Sequence, residues 1–292
     1  MAFPGRYIEE EESVMTIVVT GATGNVGRPL VTQLVNAGAK VRAVSRNLQS
    51  AGFAADVDVV ESAAAAIPGA SAVFLNSRAL GQELTAVVDQ ARREGVRRLV
   101  ALSAINADDA FSRQPSRYRG DRNKEVEQLA VDSGLEWVSL RPSVFVTNFV
   151  GMWSAQIRAG DIVRGPYPAA SSAPIVENDI AAVAAKALLT DDLVGQKIPL
   201  TGPQALTNAE MVDIIGAVLC RPLRYEQVPD ELVRQRFVGL GFPPEFGDAY
   251  IAMLATTLEE PALVTDEVPK ILGRPAQSFE QWVAEHRDIF TN

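Results

Sequence analysis

The sequence predicts an α/β protein, in which a Rossmann-type doubly wound parallel sheet is followed by a smaller, mostly helical C-terminal region. Short β-branched apolar runs, beginning with Met15–Thr20, alternate with amphipathic helical segments through the first half of the chain. A glycine-rich turn joins the first run to the first helix. Such alternation produces βαβ units, whose right-handed crossovers place the loops after the strands along one edge of the sheet. We expect the functional residues at that edge.

The predicted strands are short and apolar, and the predicted helices have apolar residues at helical spacing. The strands are Met15–Thr20, Val41–Arg46, Ala72–Asn76, Leu99–Ser103, Trp137–Leu140 and Lys197–Thr201. The helices are Pro29–Gly38, Glu83–Glu94, Asn123–Ser133 and Asp179–Leu189.

The second half of the chain has a less regular pattern. Residues 151–172 contain several Gly and Pro residues and are predicted to be loop-rich, whereas the chain from Thr207 onward is predicted to be mostly helical. We expect residues 1–14 to be a disordered extension and residues 15–150 to form the Rossmann domain. Residues 151–292 would form the smaller region, of which about 175–201 returns to the sheet.

The composition excludes several kinds of site. The 292 residues include one histidine, His286, and one cysteine, Cys220. Zinc sites need several Cys, His or carboxylate ligands, and a disulfide within one chain needs two cysteines, so we expect neither. We expect His286 at a helix end on the surface, away from any Ser-His-Asp device. Cys220 is expected to be a small buried side chain. The chemistry is therefore expected to come from a cofactor.

The charge and the apolar pattern limit the partners. A formal net charge of −9 argues against nucleic-acid binding, which depends on clustered basic charge. No apolar run approaches the roughly 20 residues that span a bilayer, and the N-terminus lacks the apolar core of a secretory signal. We expect a cytoplasmic protein with a small-molecule substrate and with no membrane or nucleic-acid partner. Monomer and homodimer are both open.

Gly21, Gly24 and Gly27 form a G-x-x-G-x-x-G pattern between the first strand and the first helix. Gly21 permits a sharp turn, Gly24 lets the backbone approach a pyrophosphate, and Gly27 lets the helix pack closely on the sheet. The free N–H groups at the helix N-terminus would then face the phosphates. The pattern predicts a dinucleotide site, and a tight turn without a ligand is the alternative.

The residues after the second strand indicate which dinucleotide is bound. An acidic residue there would hold the ribose 2′-hydroxyl of NAD, whereas a basic residue suits the 2′-phosphate of NADP. The chain has Ser45, Arg46 and Asn47 at this point, with no acid. Because Arg46 can make paired, charge-assisted contacts to a phosphate, we predict NADP(H). A solvated loop arginine is the alternative.

Several further segments carry a family resemblance. They are VTGATGNVGRPLVTQL, AVSRN, AIPGASAVFL, SGLEWVSLRPSVFVTNF and DIAAVAAKALL, with LTGPQALTNAEMVDIIG and LGRPAQSFEQWVAEH nearer the C-terminus. Together they resemble the NmrA-like branch of the atypical short-chain dehydrogenase/reductases. The resemblance implies a Rossmann domain, a small C-terminal substrate domain and bound NADP(H). Some members reduce quinones, enones or ketones, and others bind the dinucleotide without turnover, as redox sensors.

The resemblance also implies cofactor contacts, residue by residue. Those at the pyrophosphate and its ribose are Gly21, Thr23, Gly24, Asn25 and Val26, with Gly27 at the start of the helix. Those elsewhere are Arg46 at the 2′-phosphate, Asp56 beside the adenine, Asn76 near the ribose, and Pro142, Ser143 and Val144 near the nicotinamide. As an alternative, Asn76 and Ser143 cap a turn or a helix.

The catalytic residues depart from the usual pattern of short-chain reductases, which pair a tyrosine with a lysine four residues later. This chain has no Y-x-x-x-K, and Tyr118 and Lys124 are six residues apart. The family position that often holds His or Lys falls on Asn123, a neutral amide that cannot shuttle a proton. The catalytic candidates are Lys124, Tyr118 and Ser103. Water is the alternative proton source, and a plain surface position is the alternative for Lys124.

One loop, residues 111–124, opposes the acidic balance of the chain, and we call it the basic loop. Its charged residues are Arg113, Arg117, Arg119, Arg122 and Lys124, with Asp121 as the only acid. Beside a cofactor, such a loop would receive an anionic or carrier-tethered substrate. The alternative, which we favour, is that these side chains pair with carboxylates of the fold. Nearby, Phe145, Phe149, Met152 and Trp153 would line an apolar pocket or, as is more usual, form core.

The sequence therefore predicts an NADPH-dependent reductase that transfers hydride to a small carbonyl, enone or quinone. A non-catalytic NADP(H) sensor is one alternative, and Asn123 favours it. An isomerase or cyclase that reuses the fold is another.

Overall fold

The computed structural model describes residues 15–48 and 51–291, so the predicted N-terminal extension, 1–14, lies outside the described residues. The strands are β1 (Thr16–Val19), β2 (Lys40–Val44), β3 (Asp58–Val60), β4 (Ala72–Asn76), β5 (Arg98–Leu102), β6 (Glu136–Pro142), β7 (Ile162–Gly165), β8 (Ser171–Ser172), β9 (Lys197–Leu200), β10 (Leu206–Thr207) and β11 (Arg224–Gln227).

The α-helices alternate with these strands and dominate the C-terminal part. They are α1 (Gly27–Asn36), α2 (Ala63–Ala66), α3 (Ser77–Leu80), α4 (Leu84–Arg93), α5 (Asn123–Val131), α6 (Val146–Ala159), α7 (Glu177–Leu189), α8 (Asn208–Leu219), α9 (Asp230–Gly239), α10 (Pro244–Thr256), α11 (Glu267–Leu272), α12 (Phe279–Glu285) and α13 (Asp288–Thr291). Short 3₁₀ helices cover Gly81–Glu83, Phe111–Arg113 and Pro115–Arg119.

Seven strands form one parallel sheet in the order β3-β2-β1-β4-β5-β6-β9. The strands of its centre are apolar because helices cover both faces, and Ile17, Val18 and Val19 of β1 are fully buried. The order reverses between β1 and β4, and this switch point is where open parallel sheets bind ligands, outside the carboxyl ends of the strands. The predicted Rossmann-type doubly wound sheet is confirmed.

Two helical layers enclose the sheet. On one face α1 and α7 pack together, and Leu30, Leu34 and Ile180 join a core cluster with alternate residues of the strands. On the other face α4 and α5 contribute Val88 and Val126 to a second cluster. The chain returns to the sheet after α7, because β9 pairs in parallel with β6.

The C-terminal part has two further apolar clusters of its own. One lies among α6, α8 and α12, with Trp153 and Phe279 as members, and the other lies between α9 and α10. Helix α10 also contacts both 3₁₀ helices of the basic loop. This packing brings the C-terminal part to the carboxyl edge of the sheet.

Three details differ from the prediction. The segment 151–172 is not uniformly loop-rich, because α6 continues through Gly151 to Ala159, with no atom near enough to crowd a side chain at Gly151. Strand β3 was not predicted, since its short Asp58–Val60 run has little apolar signal. The expectation of a buried Cys220 is wrong: it is exposed, because it adopts the left-handed conformation (φ 56°) that ends α8.

His286 lies at the C-terminal end of α12, where it is half-buried and stacks on Trp282 with 4.2 Å between ring centroids. Over the described ranges, no helix is both long enough and apolar enough to cross a membrane.

Candidate active site

The glycine turn follows β1 at the switch point, and its path requires glycine at two positions. Gly21 has a φ of 67°, which side chains rarely adopt, and its carbonyl oxygen accepts a 3.0 Å hydrogen bond from the Gly24 N–H. A Cβ at Gly27 would lie 2.2 Å from that same oxygen. The start of α1 therefore packs directly on the turn, which presents glycine backbone at a helix N-terminus, the arrangement that accepts a phosphate.

The other predicted residues of the turn differ in what they expose. Thr23 and Asn25 are exposed, whereas the side chain of Val26 is 3% exposed and belongs to the core. Only the backbone of Val26 is therefore available to a ligand.

Arg46 lies at the carboxyl end of β2 and is exposed. It forms no ion pair with any carboxylate in the described part of the chain. Beside it, the Ser45 hydroxyl donates to the Asn47 carbonyl oxygen at 3.0 Å, which shapes the turn. Arg46 thus lies at the edge where a 2′-phosphate would lie, and no described acid competes for its guanidinium.

Asp56 does not lie at that edge. It precedes β3, which runs parallel to β2, so it lies at the amino end of the strand. The residues that do follow β3 at the carboxyl edge are Glu61 and Ser62, and the Ser45 N–H donates to the Val60 carbonyl oxygen at 2.9 Å beside them. Glu61 and Ser62 were not predicted because β3 was not predicted, and an acid directly after a strand was the available signal.

Asn76 and Ser143 lie at the carboxyl ends of β4 and β6, but their side chains have structural partners. Asn76 Oδ1 accepts from the Ala79 N–H at 3.2 Å and so caps α3. The Ser143 hydroxyl donates to the Ala173 carbonyl oxygen. The Asn76 contact agrees with the alternative that treated it as a cap, whereas the Ser143 contact joins two distant segments and caps neither a turn nor a helix. The neighbouring Pro142 and Val144 lie at the same edge.

Thr147 and Glu177 join the glycine turn to the second half of the chain, and the sequence analysis identified neither. Asn25 Nδ2 donates to Thr147 Oγ1 at 2.9 Å, and the Thr147 hydroxyl donates to Glu177 Oε1. Glu177 is only 5% exposed, and this burial raises the pKa of its carboxyl group.

The three catalytic candidates have different surroundings. Ser103, at the end of β5, is buried and donates to the Asn123 carbonyl oxygen at 2.9 Å. The Lys124 ammonium pairs with Asp108, whose carboxylate also contacts Arg141 at 2.7 Å. These two cations lower the pKa of Asp108, and the Lys124 contact is the larger cause.

Tyr118 lies in the second 3₁₀ helix of the basic loop and is half-buried. It packs against the aromatic cluster of α9 and α10, which includes Phe237, Phe246 and Tyr250, beside the partly buried Phe242. Its hydroxyl makes no hydrogen bond to another described residue. Ser103 and Lys124 therefore have protein partners, whereas the Tyr118 hydroxyl has none among the described residues.

A buried ionic network lies behind these residues. The Glu127 carboxylate is fully buried between α5 and the sheet, and Arg141, Lys197 and Ser139 donate to it at 2.6 to 2.8 Å. Burial by itself raises the pKa of Glu127, but the hydrogen bonds from the three donors outweigh it and lower the pKa from 4.5 to about 2. This network fixes α5, and thereby Asn123 and Lys124, against β6 and β9.

Most of the basic loop has the partners that the favoured alternative predicted. The pairs are Arg113 with Asp109 at 3.8 Å, Arg117 with Glu125 at 2.7 Å, and Lys124 with Asp108. Arg122 donates to the carbonyl oxygens of Arg117 and Asp121. Neither Arg122 nor Arg119 pairs with a described carboxylate, and of these two side chains only that of Arg119 makes no hydrogen bond to another described residue. Of the apolar candidates, Phe149 and Trp153 are both 3% exposed and form core.

Comparison with known proteins identifies the family. A profile of the NmrA-like family matches residues 13–260. The (4-alkanoyl-5-oxo-2,5-dihydrofuran-3-yl)methyl phosphate reductase of Streptomyces griseus is 33% identical over 289 residues, covering 94% of this chain and 99% of the relative. NAD(P)H azoreductase of Xenophilus azovorans is 30% identical over 289 residues, with coverage of 94% and 99%.

A solved structure shares the fold. The NADPH-dependent quinone oxidoreductase of Escherichia coli, in its complex with NADPH, superposes with a TM-score of 0.78 at 20% identity, covering 93% of this chain and 99% of that one. The predicted family is confirmed, and the relatives are reductases by name, as expected. The chain belongs to the NmrA-like family.

Proposed function

We propose that this protein is an NADPH-dependent reductase that transfers hydride to a small carbonyl, enone or quinone. The observation that carries the proposal is the pairing of two features at the switch point. The cradle formed by Gly21, Gly24 and Gly27 fits a pyrophosphate, and the exposed Arg46 at the end of β2 has no described carboxylate partner.

The relatives support a reductase without agreeing on one acceptor. Their names specify a furanone phosphate, an azo compound and a quinone. All three are electron-poor unsaturated groups that accept a hydride. The proposed acceptors, a carbonyl, an enone or a quinone, have this property in common with them.

When bound, NADPH supplies the hydride. The chain's own residues bind and orient it: Arg46 takes the 2′-phosphate, the glycine turn takes the pyrophosphate, and Pro142 and Val144 border the nicotinamide. Tyr118 and helix α10, which contacts the basic loop, would form the substrate side. The protein's contribution is thus mainly to position donor and acceptor and to exclude water.

Among the catalytic candidates, we assign the proton to the Tyr118 hydroxyl, because the Ser103 hydroxyl and the Lys124 ammonium already have protein partners. Lys124 and Ser103 then act as positioning residues for the start of α5. Lys124 does so through its ion pair with Asp108, and Ser103 through its hydrogen bond to the Asn123 carbonyl oxygen. Tyr118→Phe should lower kcat about tenfold to a hundredfold, with little effect on NADPH binding. If water is the donor, the variant will keep the wild-type kcat.

The test is anaerobic mixing of the purified protein with NADPH and a panel of quinones, enones, azo dyes and furanones, following the absorbance of reduced nicotinamide. Consumption of NADPH with at least one acceptor supports the proposal.

The second candidate is a dinucleotide sensor, which the neutral Asn123 and the paired Lys124 favour. Tight NADPH binding without consumption by any acceptor would support the sensor and contradict the reductase.

A further inference from the structure

Arg119 is a cation that contacts an aromatic ring and has no carboxylate partner among the described residues. Its guanidinium lies over the ring of Phe242, 5.2 Å from the centroid, at the contact between the basic loop and the C-terminal part. A cation over an aromatic ring has a defined position and keeps its N–H donors. No described carboxylate pairs with it.

The position of Arg119 is on the substrate side of the site. The basic loop follows β5, and the neighbouring Arg78 belongs to α3, which follows β4. The Ser77 hydroxyl accepts from the Arg122 N–H at 2.9 Å and ties the loop to α3 at the carboxyl edge. The ends of β2 and β5 are three strand spacings apart, roughly 14 Å, so the basic loop leaves the sheet at a different strand from the one that carries Arg46.

The surroundings of Arg119 favour an anion. Partial burial lowers the pKa of its guanidinium, and the charge of Arg78 lowers it further, while Asp121 opposes this effect. Asp121 is itself paired with Arg78. Arg119 is exposed, and its charge is not balanced by a carboxylate among the described residues, so an oxyanion that reached it would form charge-assisted hydrogen bonds.

We propose that Arg119, with Arg78 beside it, binds an oxyanion of the substrate, while the reducible part of the same molecule lies against Tyr118 and Phe242. The oxyanion is a phosphate monoester or a carboxylate, whose paired oxygens fit the planar fork of a guanidinium. The inference deepens the proposed function and rests on it for the identity of the reducible part.

The experiment measures binding without turnover. Phenyl phosphate, benzoate and phenol are titrated into the full-length protein by calorimetry, with and without saturating NADP⁺. We expect at least one of the two anions to bind about tenfold or more tightly than phenol, as a charge-assisted contact implies. The better anion distinguishes phosphate from carboxylate. Arg119→Ala should abolish the preference, and Arg119→Lys should retain part of it.

Arg113→Ala is the matched control, since it removes a charge from the same loop that Asp109 already pairs. We expect it to keep the preference within about twofold, as for exposed pairs. Equal binding of the three ligands, or equal losses in Arg113→Ala and Arg119→Ala, would overturn the inference. The inference would also be overturned if Arg119→Ala lost affinity for NADP⁺ by the same factor as it lost affinity for the anion. Because no hydride moves in this assay, a failure of the proposed reductase activity is seen separately, in the NADPH consumption assay.

Discussion

The side-chain amide of Asn25 donates a 2.9 Å hydrogen bond to Thr147 Oγ1, across 122 positions of sequence. It joins the glycine turn to α6, and the Thr147 hydroxyl continues to Glu177 at the start of α7. The geometry of the predicted pyrophosphate site therefore depends on the second half of the chain. Glu177 supports the turn from a buried position in which it has no cation within hydrogen-bond distance among the described residues.

Thr147→Val should weaken NADPH binding, because it removes the hydroxyl at nearly constant volume and leaves Asn25 without its acceptor. We expect the Kd for NADPH to rise about fivefold to tenfold, the usual effect of losing one hydrogen bond. Fluorescence titration measures it. Thr147→Ser keeps the hydroxyl and should bind as the wild type does. Equal affinities in the two variants would show that the hydroxyl does not support the turn.

Arg46→Ala should separate the two nicotinamide cofactors. The side chain is exposed and has no ion-pair partner in the part of the chain that the structure describes, so its loss should leave the fold intact and remove only a contact to the 2′-phosphate. We expect the Kd for NADPH to rise about tenfold or more and the Kd for NADH to change less than about twofold. Arg93→Ala, an equal charge change at the opposite edge of the sheet, is the control. Equal losses for the two dinucleotides would contradict the NADPH assignment.

Gly27→Ala should destabilise the fold and impair dinucleotide binding, because its Cβ would lie 2.2 Å from the Gly21 carbonyl oxygen. Backbone on both sides leaves no side chain to move aside, so we expect a loss of about 2 kcal/mol or more in the free energy of unfolding. Gly151→Ala is the matched helical control, since nothing lies within 4 Å of its added Cβ. That variant should be more stable by about 0.5 to 1 kcal/mol in urea unfolding. Similar effects in both variants would mean that the turn tolerates a side chain.

Glu127 should make stability depend on acid pH. Its folded pKa, about 2, lies below the ordinary 4.5, so its carboxylate stabilises the fold above pH 4.5 and loses that effect as the pH falls toward 2. At neutral pH, Glu127→Gln should cost about 3 kcal/mol of unfolding free energy, because Arg141 and Lys197 lose a buried anion. The difference from wild type should narrow between pH 4.5 and 2. Exposed Glu94→Gln should be neutral throughout. A difference for Glu127→Gln that is independent of pH would indicate a purely packing effect.

The main sheet was predictable because its strands are buried on both faces. Such strands need continuous apolar runs, and β1 and β4 have them. β3 does not, since it lies at the edge of the sheet, begins with Asp58 and is only partly buried. Helix α6 was not predicted, because Gly151 begins a segment with several Gly and Pro residues, although the apolar residues on either side of Gly151 pack in the core.

The site divides in the same way. The glycine spacing and Arg46 are local features, and each lies at the carboxyl edge, as predicted. Asp56 was misplaced because the side of β3 on which it falls depends on where that strand begins. Which of Ser103, Lys124 and Tyr118 keeps a polar group free of protein partners could not be predicted, because the partners of Ser103 and Lys124 come from other segments of the chain.

By itself, the sequence determined the doubly wound sheet, the glycine turn at its switch point and the basic residue after β2. These features depend on local conformational preferences and on apolar periodicity, and both can be recognised within a short stretch of sequence. The tertiary structure alone decided that Thr147 and Glu177 support the turn, that Asp108 holds Lys124, and that no carboxylate from residues 15–48 or 51–291 pairs with Arg119. The physical reason is that hydrogen bonds and ion pairs act over a few ångströms, and only folding brings such distant residues within that range.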